Sequence, residues 1–185
     1  MNENERVPIE TLSWEQLQQY VYEVDGSWRD TYVLNATWAD WQTWAGFVNA
    51  NCRAKELAFT DGDTVRLDRI DFAAMEHLWD SHGQANGLWA SFLVGEISIR
   101  CHFFRDDEVE NDFDPRKITS PAVHLQLMDY LTKLSQALGK EVVLTWENDT
   151  PAACSPRWGG VWQPLLAVSG EQIQVHPYWR KNTSY

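Results

Sequence analysis

Residues 88–104 read Leu-Trp-Ala-Ser-Phe-Leu-Val-Gly-Glu-Ile-Ser-Ile-Arg-Cys-His-Phe-Phe. In the second half of this stretch Ile97, Ile99, Cys101 and Phe103 alternate with Ser98, Arg100, His102 and Phe104. A period of two marks a half-buried strand, because successive side chains on a pleated backbone point to opposite faces. Leu88 to Val94 reads as its neighbour, and Gly95-Glu96 sits between them as a turn. So short a connection allows only antiparallel pairing, since parallel neighbours need a long crossover.

The same logic extends outward. Leu57 to Thr60 and Thr64 to Leu67 flank Asp61-Gly62-Asp63, a second hairpin signal. Val21 to Val24 and Arg29 to Leu34 flank Asp25-Gly26, a third, because glycine accepts the positive φ such turns need. Asp107 to Asp114, Val142 to Trp146, Val161 to Val168 and Gln172 to Val175 read as further extended segments. Between them lie helices. Ser13 and Gln16 form a capping box before Trp14 to Tyr20, and Thr37 caps a helix whose face holds Trp38, Trp41, Trp44, Ala45 and Val48. Asp71 caps a third, with Phe72, Met75, Leu78 and Trp79 on one side. Ser120-Pro121 opens the longest, which ends at Gly139 and whose inner face is expected to hold Leu125, Met128, Leu131, Leu134, Ser135 and Leu138. The predicted fold is α+β: one mostly antiparallel sheet of about six to eight strands with three to four helices packed on it. Its 185 residues fit one domain over 1–185.

The chain is 44% hydrophobic and 23% charged, too apolar for disorder and long enough to bury its own core. Its formal net charge of −12 argues against a nucleic-acid or anionic-membrane partner. The acidic N-terminus does not read as a secretory or transit signal, and the apolar run Leu88 to Val94 is far shorter than the ~18 residues of a membrane span. Three widely spaced cysteines, Cys52, Cys101 and Cys154, fit reduced thiols and a cytoplasmic protein. Eleven tryptophans exceed what such a core ordinarily uses, so some are expected near the surface, where aromatic rings anchor partners.

The charge is unevenly placed. Residues 1–60 carry nine acids against four bases, 61–120 thirteen against six, and 121–185 five against five. The densest run is Asp106-Asp107-Glu108-Val109-Glu110-Asn111-Asp112-Phe113-Asp114. As a strand it would place Glu108, Glu110, Asp112 and Asp114 on one face, with alternate residues ~6.5–7 Å apart. That resembles the roughly 6–7 Å between phosphates of one nucleic-acid strand, so the row could occupy the basic groove of a nuclease. The plainer alternative is a solvated edge strand whose like charges discourage aggregation.

Enzyme signatures are absent. No HExxH, Gly-x-Ser-x-Gly or phosphate-binding glycine loop occurs, and the five histidines, 77, 82, 102, 124 and 176, show no metal-ligand spacing. The sequence therefore supplies no catalytic residue, no metal site and no cofactor. Cys101, on the apolar side of its strand, reads as a buried, inert thiol.

Three segments carry a resemblance: Val24-Asp25-Gly26-Ser27-Trp28-Arg29-Asp30-Thr31-Tyr32-Val33, Val109-Glu110-Asn111-Asp112-Phe113-Asp114-Pro115-Arg116, and Gly139-Lys140-Glu141-Val142-Val143-Leu144-Thr145-Trp146-Glu147-Asn148. In this order the chain resembles small acidic bacterial proteins akin to the immunity proteins of interbacterial toxin systems. The resemblance implies a cytoplasmic protein that binds and blocks one cognate toxin without a cofactor. The candidate partner-binding residues are Asp106, Asp107, Glu108, Glu110, Asp112 and Asp114, together with Trp28 and Arg29. For Arg29 and Asp30 the alternative is a purely local role in fixing the turn before them. Two other functions stay open: a hydrolase built from dispersed acids and histidines, and a self-assembling structural protein joined by exposed tryptophans.

Overall fold

The computed structural model describes residues 6–59, 64–66, 69–73, 75–76, 88–149 and 164–176. Their strands form one open antiparallel sheet: β1 (Val7–Pro8), β2 (Arg29–Leu34), β3 (Arg53–Phe59), β4 (Thr64–Arg66), β5 (Leu88–Val94), β6 (Ile97–His102), β7 (Glu108–Phe113), β8 (Val142–Trp146), β9 (Leu166–Ser169) and β10 (Gln172–Val175). The order across the sheet is β1-β10-β9-β8-β2-β7-β6-β5-β3-β4. The α+β reading holds, with more strands than expected. Helices α1 (Trp14–Tyr20), α2 (Trp38–Asn51) and α3 (Pro121–Leu138) complete the described elements.

Each helix begins where its cap dictates. The Ser13 hydroxyl accepts from the Gln16 amide while the Gln16 side chain accepts from the Ser13 amide, and Thr37 and Asp40 exchange the same pair of bonds. Ser120 caps α3, Pro121 fills its first position, and Gly139 ends it at φ +62°, where a β-carbon would be strained. Of the helix beginning at Asp71, Phe72, Ala73, Met75 and Glu76 are helical; Leu78 and Trp79 lie outside the described residues, as do Asp61-Gly62-Asp63, residues 161–163 and Cys154.

The helices bury their apolar stripes against one face of the sheet. Trp41 and Trp44 of α2 meet edge-on at 5.5 Å, and both touch Phe103, at 5.3 and 5.9 Å. From the sheet, Ala90, Phe92, Ile97, Ile99, Cys101, Val109, Phe113, Val142, Leu144, Leu166 and Val168 join the same core. Cys52 and Cys101 are buried, and desolvation pushes both thiols up, Cys52 to about 11. Among the described residues, no helix is long and apolar enough to cross a membrane.

Three expectations need correcting. The Asp25-Gly26 turn does not join a hairpin: Val21 to Val24 is not a strand, and β2 pairs instead with β7 and β8. The carbonyls of Val21 and Glu23 accept from the Arg29 guanidinium, at 2.9 and 2.6 Å, which occupies acceptors that a sheet neighbour would use. The acidic strand β7 is no edge, lying between β2 and β6. Leu125 is 65% exposed; the inner stripe of α3 is His124, Leu127, Met128, Tyr130, Leu131, Leu134, Ser135 and Leu138. One helical position turns the chain by ~100°, so Leu125 falls just outside the stripe that His124 and Leu127 define.

In urea unfolding, Leu131→Ala is expected to cost about 2–5 kcal/mol by leaving a cavity under the sheet. Leu125→Ala is expected to stay within ~0.5 kcal/mol.

Candidate functional site

The second face of the sheet carries the polar side chains of the central strands. Pairing register aligns them in two rows that cross the sheet. One runs Ser91, Arg100, Asp112, Asp30, Thr145, and the next runs Trp89, His102, Glu110, Tyr32, Val143. Directly opposed side chains on such a face stand ~4.5–5.5 Å apart at Cβ. The period-two reading of the acidic run holds for three of its four acids: Glu108, Glu110 and Asp112 share this face, while Val109, Asn111 and Phe113 turn toward the helices and are buried; Asp114 lies past the strand end and caps the turn over Pro115–Lys117.

The row is not a comb reaching into solvent. Glu108, Glu110, Asp112 and Asp114 are all half-buried, and three of the four meet cations or a histidine of the same chain. Arg105 approaches Glu108 at 3.6 Å, His102 Nε2 lies 2.7 Å from Asp112 Oδ2, and Arg116 Nε lies 2.8 Å from Asp114. Asp107 is exposed but held by a two-pronged contact from Arg105, 2.7 Å on each arm. Asp106 is exposed, and its carbonyl accepts from the Trp41 indole.

Glu110 is different. Burial pushes its carboxyl up to about 7, helped by the negative charges of Asp30 and Glu108 and opposed by His102 and the Tyr32 hydroxyl. Asp30, 3% exposed, is pushed up to about 6 by the same desolvation, although the Asn148 amide (2.7 Å) and the Tyr32 hydroxyl (3.1 Å) both donate to it. Neither carboxyl makes an ion pair among the described residues. Two acids with a shared tyrosine and no cation of their own sit at the middle of this face.

Aromatic side chains flank the acids. Phe104, 44% exposed, stacks on the His102 ring at 4.8 Å and 12°. Trp28 and Trp89 are half-buried and stand over the Arg100 guanidinium at 5.1 and 5.5 Å. Toward β8 and β9 this face closes over, with Tyr32, Val143 and Ala167 packed in a small second cluster.

Arg29 does not belong to the surface. It is fully buried on the helix side, stacks on Trp146 at 4.0 Å and donates to the backbone of Val21, Glu23 and Trp28. Its structural role, fixing the turn, is the one the geometry supports. Asp30, read with it as a local residue, instead enters the acidic site, because adjacent strand residues point to opposite faces. The sequence pattern marks His102 as a strand residue open to the surface but assigns no such role to Arg100 or Tyr32; for Arg100 the signal is its alternation with Ile99 and Cys101. No group of three or more histidine, cysteine or acidic side chains among the described residues is arranged to hold a metal ion. Comparisons with protein-family models, with curated proteins and with solved structures find no match to this chain.

The raised acids set a pH dependence. A carboxyl whose pKa is higher folded than unfolded binds extra protons in the native state, so stability falls as pH rises from the unfolded to the folded value. Between pH 5 and 8 the wild type is expected to lose stability as Asp30 and Glu110 ionise. Glu110→Gln should remove the Glu110 share of that loss and leave that of Asp30, making the variant more stable than wild type at pH 8 by on the order of 1 kcal/mol after solvent screening, with a smaller difference at pH 5. Urea titrations at the two pH values check this.

Proposed function

We propose that this chain is a non-enzymatic, cytoplasmic binding protein that neutralises a basic protein partner, in the manner of an immunity protein acting on its toxin, through the second face of its sheet. The observation that carries this reading is the Asp30–Glu110 pair. Two carboxyls with raised pKa values at the centre of a sheet face destabilise the fold and repel each other, and among the described residues neither makes an ion pair. A lysine or arginine of a partner would supply the missing charge, and with it the largest gain at the interface, because charge-assisted bonds strengthen as water is excluded. The exposed Asp106 and Asp107 and the net charge of −12 supply the long-range field that steers a basic protein toward this face. Trp28, Trp89 and Phe104 supply apolar area beside the acids.

In this reading Glu110 is the contact residue, Asp30 adds its charge from beneath the surface, Glu108 and Asp112 are partly neutralised neighbours, and Asp114 serves the chain's own turn. A second reading, a hydrolase, rests on one observation: the His102–Asp112 contact of 2.7 Å beside Glu110, whose titration near 7 suits a general base. Chromogenic ester, phosphoester and glycoside substrates test it; turnover abolished by both His102→Gln and Glu110→Gln would replace the binding reading.

For the binding reading, the measurement is stopped-flow association, at several salt concentrations, with a basic protein recovered by pull-down from the native host. Neutralising Glu108, Glu110, Asp112 and Asp114 together should slow association roughly ten-fold or more at low salt and flatten its salt dependence. Equal rates for variant and wild type at low ionic strength would eliminate the carboxylate mechanism.

A further inference from the structure

We propose that Arg100, framed by the indoles of Trp28 and Trp89, is an anion-binding point that takes a carboxylate side chain of the protein partner; the site rests on the binding reading given above and adds the sign and spacing of what the partner presents.

Arg100 projects from the second face of β6, directly across from Asp112 on β7. Those two side chains would ordinarily pair. Asp112 Oδ2 instead accepts from His102 Nε2, one step along the face, at 2.7 Å. The Arg100 guanidinium then makes no hydrogen bond and no ion pair with any described residue; its contacts are the two indole faces, at 5.1 and 5.5 Å. Both distances lie within the ~6 Å over which a ring quadrupole holds a cation. An arginine held this way has its long side chain ordered in advance, while its planar fork of donors stays unspent. A fork of that shape matches a carboxylate through two parallel bonds.

The surroundings decide which anion fits. Asp112 and Asp30 share Arg100's row across the sheet, and Glu110 lies on the diagonal. A phosphate dianion would meet their combined repulsion. A singly charged, planar carboxylate meets less, and least when the same partner carries a cation for Glu110 and Asp30. Strand spacing sets the distances: Glu110 is about 7–8 Å from Arg100 along the diagonal, and Asp30, two strands away, is roughly 10 Å. The partner surface that fits therefore carries an acid and a base about 7–10 Å apart, not a uniformly basic patch.

The full-length chain, labelled with nitrogen-15, tests this without the partner. Sodium acetate is titrated to 100 mM at constant ionic strength, with sodium chloride and inorganic phosphate as parallel arms. The expected result is a saturable shift of the Arg100 Nε–Hε signal and of the Trp28 and Trp89 indole signals with acetate. In Arg100→Gln the indole shifts should disappear, and in Arg100→Lys, which keeps the charge without the fork, the acetate affinity should fall at least ten-fold. Unchanged folded spectra in both variants confirm that the loss is local. Shifts with acetate no larger than with chloride overturn the proposal, and tighter binding of phosphate than of acetate overturns its carboxylate source. Acetate binding in a chain that shows no charge-steered association would keep this site and remove the basic-partner reading; the reverse would do the opposite.

Discussion

The register between β2 and β7 is the constraint on which the site depends. Pairing Asp30 with Asp112 and Tyr32 with Glu110 puts three carboxylates and a tyrosine on one patch of backbone no wider than two strands. A slip of one residue would turn Glu110 and Asp112 into the helix-packed core and bring Val109 and Phe113 out. The register cannot slip, because Val109 and Phe113 are locked under the helices with Val33 of β2. The acids' shared placement is thus imposed by the apolar residues between them, and their mutual repulsion is tolerated because the core side of the same strands is well packed.

Arg29 and Asp30, adjacent in sequence, show how burial sorts charge. Arg29 is fully buried yet fully supplied, with backbone carbonyls on its donors, Asp25 at 3.5 Å and the face of Trp146 beneath it. It welds the segment after α1 to the start of β2. Asp30 is nearly as buried, but the charges near it are those of Asp112 and Glu147, so hydrogen bonds from Tyr32 and Asn148 do not offset desolvation. A buried charge met by groups of opposite polarity is held in its ionised form; one met by like charges, on the opposite face, is pushed toward its neutral form despite its hydrogen bonds.

Local signals in the chain were legible wherever they acted over a few residues. The capping pairs Ser13/Gln16 and Thr37/Asp40, the Ser120-Pro121 start and Gly139 stop, the Gly95-Glu96 turn and the alternation of β7 all stand as their residue types imply. The errors came where a local signal was outcompeted from a distance. Asp25-Gly26 has the composition of a hairpin turn, but Arg29 captured the carbonyls on its near side. Leu125 has the chemistry of a core residue, but the helix axis set by His124, Leu127 and Leu131 faces it to solvent. The acidic run looks like an edge because edges are where charge is usually put; β2 and β6 cover both of its sides.

The sequence by itself determined the alternation that places Glu108, Glu110 and Asp112 on one side of a strand, the antiparallel class of the sheet and the excess of negative charge, since each follows from period, turn chemistry or counting. Tertiary structure alone decided that Asp30 joins those acids, that Asp112 turns to His102 and leaves Arg100 between two indoles, and that Arg29 is withdrawn from the surface. These outcomes depend on which distant strands become neighbours, and strand order is set by the burial of the whole apolar set at once, which no short window of residues contains.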